Sequence, residues 1–351
     1  MVDDAHVSRH RSGPHRPAIG AGSIDVQNAG PFALIVLTVS LAGCAAAAPA
    51  KASSTPRPVE SASASQAQTV PSSPAPGPTL ATLAPTAVLG LPSFRHVYLL
   101  VMENHEFGSI VGNPSAPYIN SLIARYGLAT AYSAVAHPSE PNYLALFSGS
   151  TQGVTDDGVY VFRSSNLADQ LEASGKSWRV FAENVSGGCF TGATAAGGAD
   201  GPGSYARKHE PAISFADIAA NPARCGYITD FSRFDPSAAD FELIMPNFCN
   251  DMHDCSISMG DRFLRTFIPR IIDSPAFAES VLFITWDEGS TDIGGGGRVA
   301  TLVVSPLVAA GTLSSVPHTH YSLLRTMEDA WGSGCLANAC AANDLREFFP
   351  P

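Results

Sequence analysis

Basic side chains are scarce in this 351-residue chain. Lys and Arg together number 20 against 31 Asp and Glu, giving a formal charge of −11, and only 15% of residues are charged. Such a balance repels phosphate backbones and excludes nucleic acid as the main partner. Long apolar runs are missing as well. The run at residues 32–41 is too short to cross a bilayer as a mature helix. No internal repeat marks a solenoid or a propeller. Cysteine is sparse, yet six of the seven (Cys189, Cys225, Cys249, Cys255, Cys335 and Cys340) lie in the C-terminal two-thirds. An even set in an exported domain reads as three disulfides, with fifteen pairings possible. The short spacings favour Cys249–Cys255 and Cys335–Cys340, which leaves Cys189–Cys225, unless geometry dictates otherwise.

What is present first is an address. Residues 1–30 are polar and include Arg9, Arg11 and Arg16, the apolar run follows, and it ends at Leu41-Ala42-Gly43-Cys44. That order describes a signal peptide. A cysteine directly after Leu-Ala-Gly resembles the bacterial lipobox, which implies cleavage after residue 43 and acylation of Cys44. An ordinary signal peptide with an incidental cysteine is the alternative. Residues 44–90 are rich in Ala, Ser, Thr and Pro and nearly free of aromatics, a composition that cannot offset its ordering entropy. The expectation is a disordered linker that holds a domain, residues 91–351, off the extracytoplasmic side of a cell membrane.

In that domain, residues 96–102 form a continuous apolar run, as a buried parallel strand does. It stops at Glu103-Asn104, either a solvated turn or groups presented at a strand's C-terminal end. Residues 178–182, 241–245, 280–286 and 298–305 read as further strands, the third ending on Asp287-Glu288. Helices are expected over 116/117–126, 166–174, 261–272 and from about residue 323. Ser139 stands between Pro138 and Pro141, ahead of an apolar run with helical spacing. Its hydroxyl would lie at a helix N-terminus, either as a simple cap or as a nucleophile where an anion is favoured. The Cys249–Cys255 loop holds Asp251, His253 and Asp254, and His320 precedes a helix. Arg207-Lys208-His209 is a compact basic cluster that could meet substrate phosphate, although an exposed surface cluster is the commoner arrangement. In a parallel sheet these strand-end groups converge on one edge, and carboxylates with an amide and a hydroxyl make an oxygen-rich cation site.

Glu103-Asn104, the stretch His137-Pro-Ser-Glu-Pro-Asn-Tyr143, Asn250-Asp-Met-His-Asp254, Trp286-Asp-Glu-Gly289 and His320-Tyr-Ser-Leu-Leu324 together resemble the bacterial phosphoesterase family. That family includes acid phosphatases and phospholipases C and belongs to the alkaline-phosphatase-like superfamily. The likeness covers about residues 94–335 and is greatest to secreted acid phosphatases of the mycobacterial type. It implies an α/β fold, a mostly parallel central sheet with helices on both faces. It further implies Ser139 as nucleophile, forming a phosphoserine, with Asn142 and His137 beside the phosphate. Glu103, Asn104, Asp287 and Glu288 would bind a metal. His253, Asp254 and His320 fall where relatives carry a second metal or leaving-group contacts. Glu103 and Glu288 depart from the full Asp/His set of two-metal enzymes, which puts a second metal in doubt. Oxygen ligands favour Ca²⁺, Mg²⁺ or Mn²⁺. The expected protein is therefore a lipid-anchored, monomeric acid phosphatase acting on phosphate monoesters, some relatives acting on phosphoinositides. A phosphodiesterase of the phospholipase C kind and a non-catalytic surface lipoprotein are the rivals.

Overall fold

The computed structural model describes residues 90–195 and 203–349. The expected leader, most of the linker and Cys44 lie outside them. The main sheet has eight strands: β1 (Val97–Met102), β2 (Gly127–Ala129), β3 (Trp178–Ala182), β4 (Ile228–Thr229), β5 (Phe241–Met245), β6 (Val281–Trp286), β7 (Thr301–Val304) and β8 (Thr312–Ser314). Their order is β8-β2-β7-β6-β1-β5-β3-β4. Within this sheet β7 alone runs against its neighbours, antiparallel to both β6 and β2, and all other pairings are parallel. Every residue of β1, β5 and β6 is buried. Side chains alternate between faces along a strand, so burial at every position means both faces are covered. The expected mostly parallel α/β fold is thus observed.

The sequence boundaries of two strands, 178–182 and 241–245, match the structure residue for residue. Five helices of seven or more residues stand among the described residues: α1 (Pro117–Arg125), α2 (Glu140–Ser148), α3 (Leu167–Ala173), α4 (Ile257–Phe267) and α5 (His320–Trp331). α1 packs on α4 and α2 on α5. The single helix expected over 261–272 is two, because Pro269 begins a separate turn, Pro269–Ile272; proline has no N–H to continue the ladder. The three disulfides pair as the spacings suggested: Cys189–Cys225, Cys249–Cys255 and Cys335–Cys340.

Two strand ends matter most. β1 and β6 are neighbours with Met102 opposite Trp286. The residues that follow, Glu103 and Asp287, therefore leave the sheet side by side. The Asp287 N–H donates to Met102 O at 2.9 Å and the Glu103 N–H donates to Asp251 O at 2.9 Å. The disulfide-closed loop is thereby tied to the same edge.

Candidate active site

Ser139 takes its position from α2. Pro141 lies in the first turn, the Asn142 N–H donates to Ser139 O at 2.9 Å, and the helix ends at Gly149 in the left-handed region, φ +69°. A Cβ at Gly149 would stand 2.1 Å from Leu336 O, so only glycine fits there. The Ser139 hydroxyl makes no capping bond to the helix. It donates instead to Glu103 Oε2 at 3.2 Å. That separates the two readings of this serine: its oxygen is turned to the acidic strand ends. Ser139 is 2% exposed.

Around it the predicted metal residues gather. The end of the Asn104 side-chain amide stands 3.2 Å from Glu103 Oε2, from Asp287 Oδ1 and from Glu288 Oε1. The Asn104 backbone N–H donates to Asp287 Oδ1 at 3.0 Å. Tyr143, one turn along α2, donates its hydroxyl to Glu103 Oε1. Burial, then the neighbouring Asp287 and Asp251, hold the Glu103 carboxyl well above the usual range. Burial and then Glu288 push Asp287 up to about 7. Burial also raises Asp251, with Asp287 and Asp254 adding to it. Packing carboxylates together without a cation forces protons onto them.

The basic triplet is not a surface cluster. Arg207 and His209 are each 2% exposed. His209 lies between Glu103 Oε2, at 3.4 Å, and Asp251 Oδ2, at 3.5 Å, with its ring stacked on Tyr143. Burial, Lys208 and His253 all lower its pKa, so the imidazole is neutral. Lys208 binds Asp157 Oδ2 at 2.9 Å. His209, which the sequence reading named only within the basic cluster, and Tyr143, read there as an apolar helix position, both reach Glu103. Glu103, His209 and His253 each offer a ligand atom within 4.8 Å of the others, a group able to hold a metal ion.

Two predicted residues do other work than expected. Asn142 accepts from the Val135 and Ala136 N–H groups at 3.0 and 3.1 Å and donates to Ala136 O and Pro138 O at 2.9 and 3.4 Å. Its amide is spent on folding the turn that carries Ser139, where the sequence reading had it contact phosphate. His320 is fully buried. Its Nε2 lies 2.6 Å from Asp287 O and its Nδ1 lies 3.0 Å from the Tyr132 hydroxyl. Burial lowers its pKa to about 4. A neutral ring donating to the Asp287 carbonyl sets that strand end and has no proton to offer a leaving group. His137 lies by Glu288, Nδ1 to Oε2 at 2.6 Å, and its Nε2 meets Thr291 O at 3.0 Å. His253 is half-buried and Asp254 exposed, with His253 Nδ1 and Asp254 Oδ1 2.7 Å apart. Both line a cavity of about 360 Å³ shared with Lys208, Phe248 and Asp157.

A buried serine hydroxyl facing strand-end carboxylates suits transfer of a phosphoryl group. The model of the Phosphoesterase family matches residues 113–333, well over half of the chain. The chain belongs to the phosphoesterase family. This phosphoesterase is similar to a phosphatidylinositol-3-phosphatase of Mycobacterium tuberculosis, 34% identical over 269 residues that cover 74% of this chain and 85% of the relative. It is similar also to a probable acid phosphatase of Kluyveromyces lactis, 29% identical, covering 68% of this chain and 58% of the yeast protein. Against an acid phosphatase of Aspergillus fumigatus the identity is 26%, with 72% of this chain and 58% of the relative covered. Among solved structures a weak likeness runs to a protein of the alkaline phosphatase superfamily from Vibrio parahaemolyticus, with TM-score 0.48, 12% identity, and 75% and 74% of the two chains covered.

Proposed function

We propose that this phosphoesterase is an exported, lipid-anchored acid phosphatase that hydrolyses phosphate monoesters, phosphoinositides among them, through a phosphoserine on Ser139. A member of this family with phosphatase relatives is a hydrolase of phosphate esters. The monoester preference, the covalent intermediate and the anchor are the further steps. One observation carries the chemistry: the Ser139 hydroxyl donates to Glu103 rather than capping its own helix.

In the first step Ser139 Oγ bonds to phosphorus, its proton passes to the Glu103 carboxylate, and the ester oxygen departs with the electron pair. His253, held by Asp254 at Nδ1 and lining the cavity, supplies the proton to that oxygen. Water then attacks the phosphoserine as His253 takes back a proton, the bond from phosphorus to Ser139 Oγ breaks, and Glu103 returns its proton to that oxygen, releasing phosphate. The N-terminus of α2 favours the negative charge. The donor set fits a hard divalent cation, Ca²⁺, Mg²⁺ or Mn²⁺. Glu103, Asp287 and Glu288 crowd anionic oxygens round one point with the Asn104 amide among them, and two of the three carboxylates are fully buried. Such a cation, held by those four residues, would neutralise phosphoryl charge and lower the serine pKa. Its identity belongs to the same proposal.

Comparison of p-nitrophenyl phosphate with its bis-ester, before and after chelation, tests this reading. Turnover of the monoester, lost on chelation, is expected. Faster hydrolysis of the bis-ester would replace it with a diesterase, and inactivity on both would leave a binding lipoprotein. For the anchor, labelled palmitate should enter the wild-type chain and not Cys44→Ser.

A further inference from the structure

We infer that Asp157 is a built-in competitor of phosphate: its carboxylate occupies the donors that a phosphoryl group on Ser139 needs, so that a well-fitting ester displaces it and free phosphate does so poorly. The inference deepens the reading of Ser139 as phosphoryl acceptor and rests on it.

Few donors stand at the start of α2. Pro141 has no N–H, and the Asn142 N–H is spent on Ser139 O at 2.9 Å. Of the first three helical residues, Glu140 alone keeps an N–H outside the helix's own ladder. It follows the nucleophile directly, and it donates to Asp157 Oδ1 at 3.1 Å. The other oxygen of that carboxylate, Oδ2, accepts from Lys208 Nζ at 2.9 Å. One carboxylate therefore bridges a helix N-terminal N–H and an ammonium. Those are the two kinds of donor that suit a phosphoryl oxygen.

Both charges are felt at the carboxylate cage. Burial raises Glu288 first; Asp157 adds to the rise and Lys208 opposes it. Lys208 also opposes the burial-driven rise of Glu103. With Asp157 in place, the ammonium is neutralised where an incoming phosphoryl dianion would meet it, and the carboxylate repels that dianion. Asp157 is exposed and belongs to neither helix nor strand. Its neighbours are tied down: Glu140 Oε2 accepts from the Gly158 N–H at 2.6 Å, and Arg207 Nη2 donates to Tyr160 O at 2.7 Å. Rotation of the Asp157 side chain into water therefore leaves its backbone where it is.

Selectivity follows from where Asp157 stands. With Val159, Phe248 and His253 it lines the cavity of about 360 Å³, on the side where His253 meets the leaving group. An alcohol with an apolar face, seated against Val159 and Phe248, gains contacts that offset the loss of the two Asp157 bonds. Inorganic phosphate has no such group and must break both bonds unaided. The favoured substrates are thus esters whose alcohol fills this cavity, and product phosphate leaves readily.

Calorimetry with inorganic phosphate on the full chain, at fixed ionic strength, tests this, with p-nitrophenyl phosphate kinetics alongside. Asp157→Asn should bind phosphate about tenfold more tightly, as removal of one like charge beside a dianion predicts, and KM should fall with it. Asp157→Ala, which also frees the Glu140 N–H, should gain at least as much. Asp156→Asn removes the same charge one residue away and should gain less than about twofold, since exposed charges are screened. In Asp157→Ala combined with Lys208→Ala the gain should vanish. Phosphate affinity unchanged or weaker in both Asp157 variants overturns the inference and leaves Asp157 as a support for Lys208. Equal gains in Asp156→Asn and Asp157→Asn, or a gain that survives loss of Lys208, overturn it as well. Inactivity of wild type on p-nitrophenyl phosphate would sink the phosphatase reading, while the calorimetric comparison reports on Asp157 by itself.

Discussion

Replacing Glu242 by Gln should make this protein markedly more stable at neutral pH and change it little at pH 4.5. Glu242 lies in β5 with no exposed surface. Burial, helped by Asp235, pushes its carboxyl up to about 8 from 4.5, opposed by N–H donors at Ala239 and Ala238 and by Arg179. Oε1 accepts from the Ala239 N–H at 3.3 Å, while Oε2 has no partner. Below pH 4.5 the acid is neutral in the folded and unfolded chains alike, and folding costs nothing extra. Between 4.5 and 8 the unfolded chain releases the proton and the folded one keeps it. Stability then falls by about 1.4 kcal/mol for each pH unit. At pH 7 that is roughly 3 kcal/mol, or about 2 after relaxation and water entry round the ionised form. Glutamine keeps the acceptor for the Ala239 N–H and cannot ionise, so it reproduces the neutral acid at every pH. Urea denaturation of both proteins at pH 4.5, 6 and 7.5 measures the difference. The two stability curves should meet at acid pH and diverge upward. Parallel curves would refute the account. Glu140, Glu210 and Glu328, each raised to about 7 by burial, act in the same direction.

Ser139→Ala should lower p-nitrophenyl phosphate turnover at least about a thousandfold with an unchanged circular dichroism spectrum, since the hydroxyl caps nothing. A rate near wild type would remove the nucleophile from the proposal. His320→Leu strands the Asp287 carbonyl and the Tyr132 hydroxyl inside the protein, at about 1–3 kcal/mol each. Its Tm should fall and kcat should fall with it, while the pH of half-maximal rate stays put; a moved pH profile would make His320 an acid after all. Asn142→Ala should reduce kcat with little effect on KM, because it loosens the turn under Ser139 and not a substrate contact. A rise in KM alone would restore the phosphate-contact reading. Opening the Cys249–Cys255 loop, a sequence separation of 6, with a Ser/Ser pair should cost more activity than stability, read as kcat against Tm.

The framework was legible in the sequence because its signals are local. Apolar runs marked β1, β3, β5 and β6, interrupted by Arg179 in β3 and Glu242 in β5, and Pro141 with Gly149 bracketed α2. The cysteine spacings gave the disulfides. His209 was hidden because its neighbours Arg207 and Lys208 read as a solvated cluster, and only the fold turns them inward against Glu103 and Asp251. Tyr143 looked like one more apolar position on α2, and its hydroxyl gains meaning only when β1 ends beside it. The work of Asn142 and His320 is likewise fixed by partners distant in sequence or by a local turn that no spacing encodes.

The pairing of β1 with β6 has a consequence for cation choice. Neighbouring strands are held about 4.8 Å apart by their main chains, so the distance between the roots of Glu103 and Asp287 cannot drift with side-chain substitutions. Glu288 and Asn104 hang from turns beyond the ladder, held by contacts to His137 and Asp287 and not by strand pairing. Variants meant to accept a larger or smaller ion should therefore be sought on the turns, and changes within the strands should alter folding before they alter selectivity.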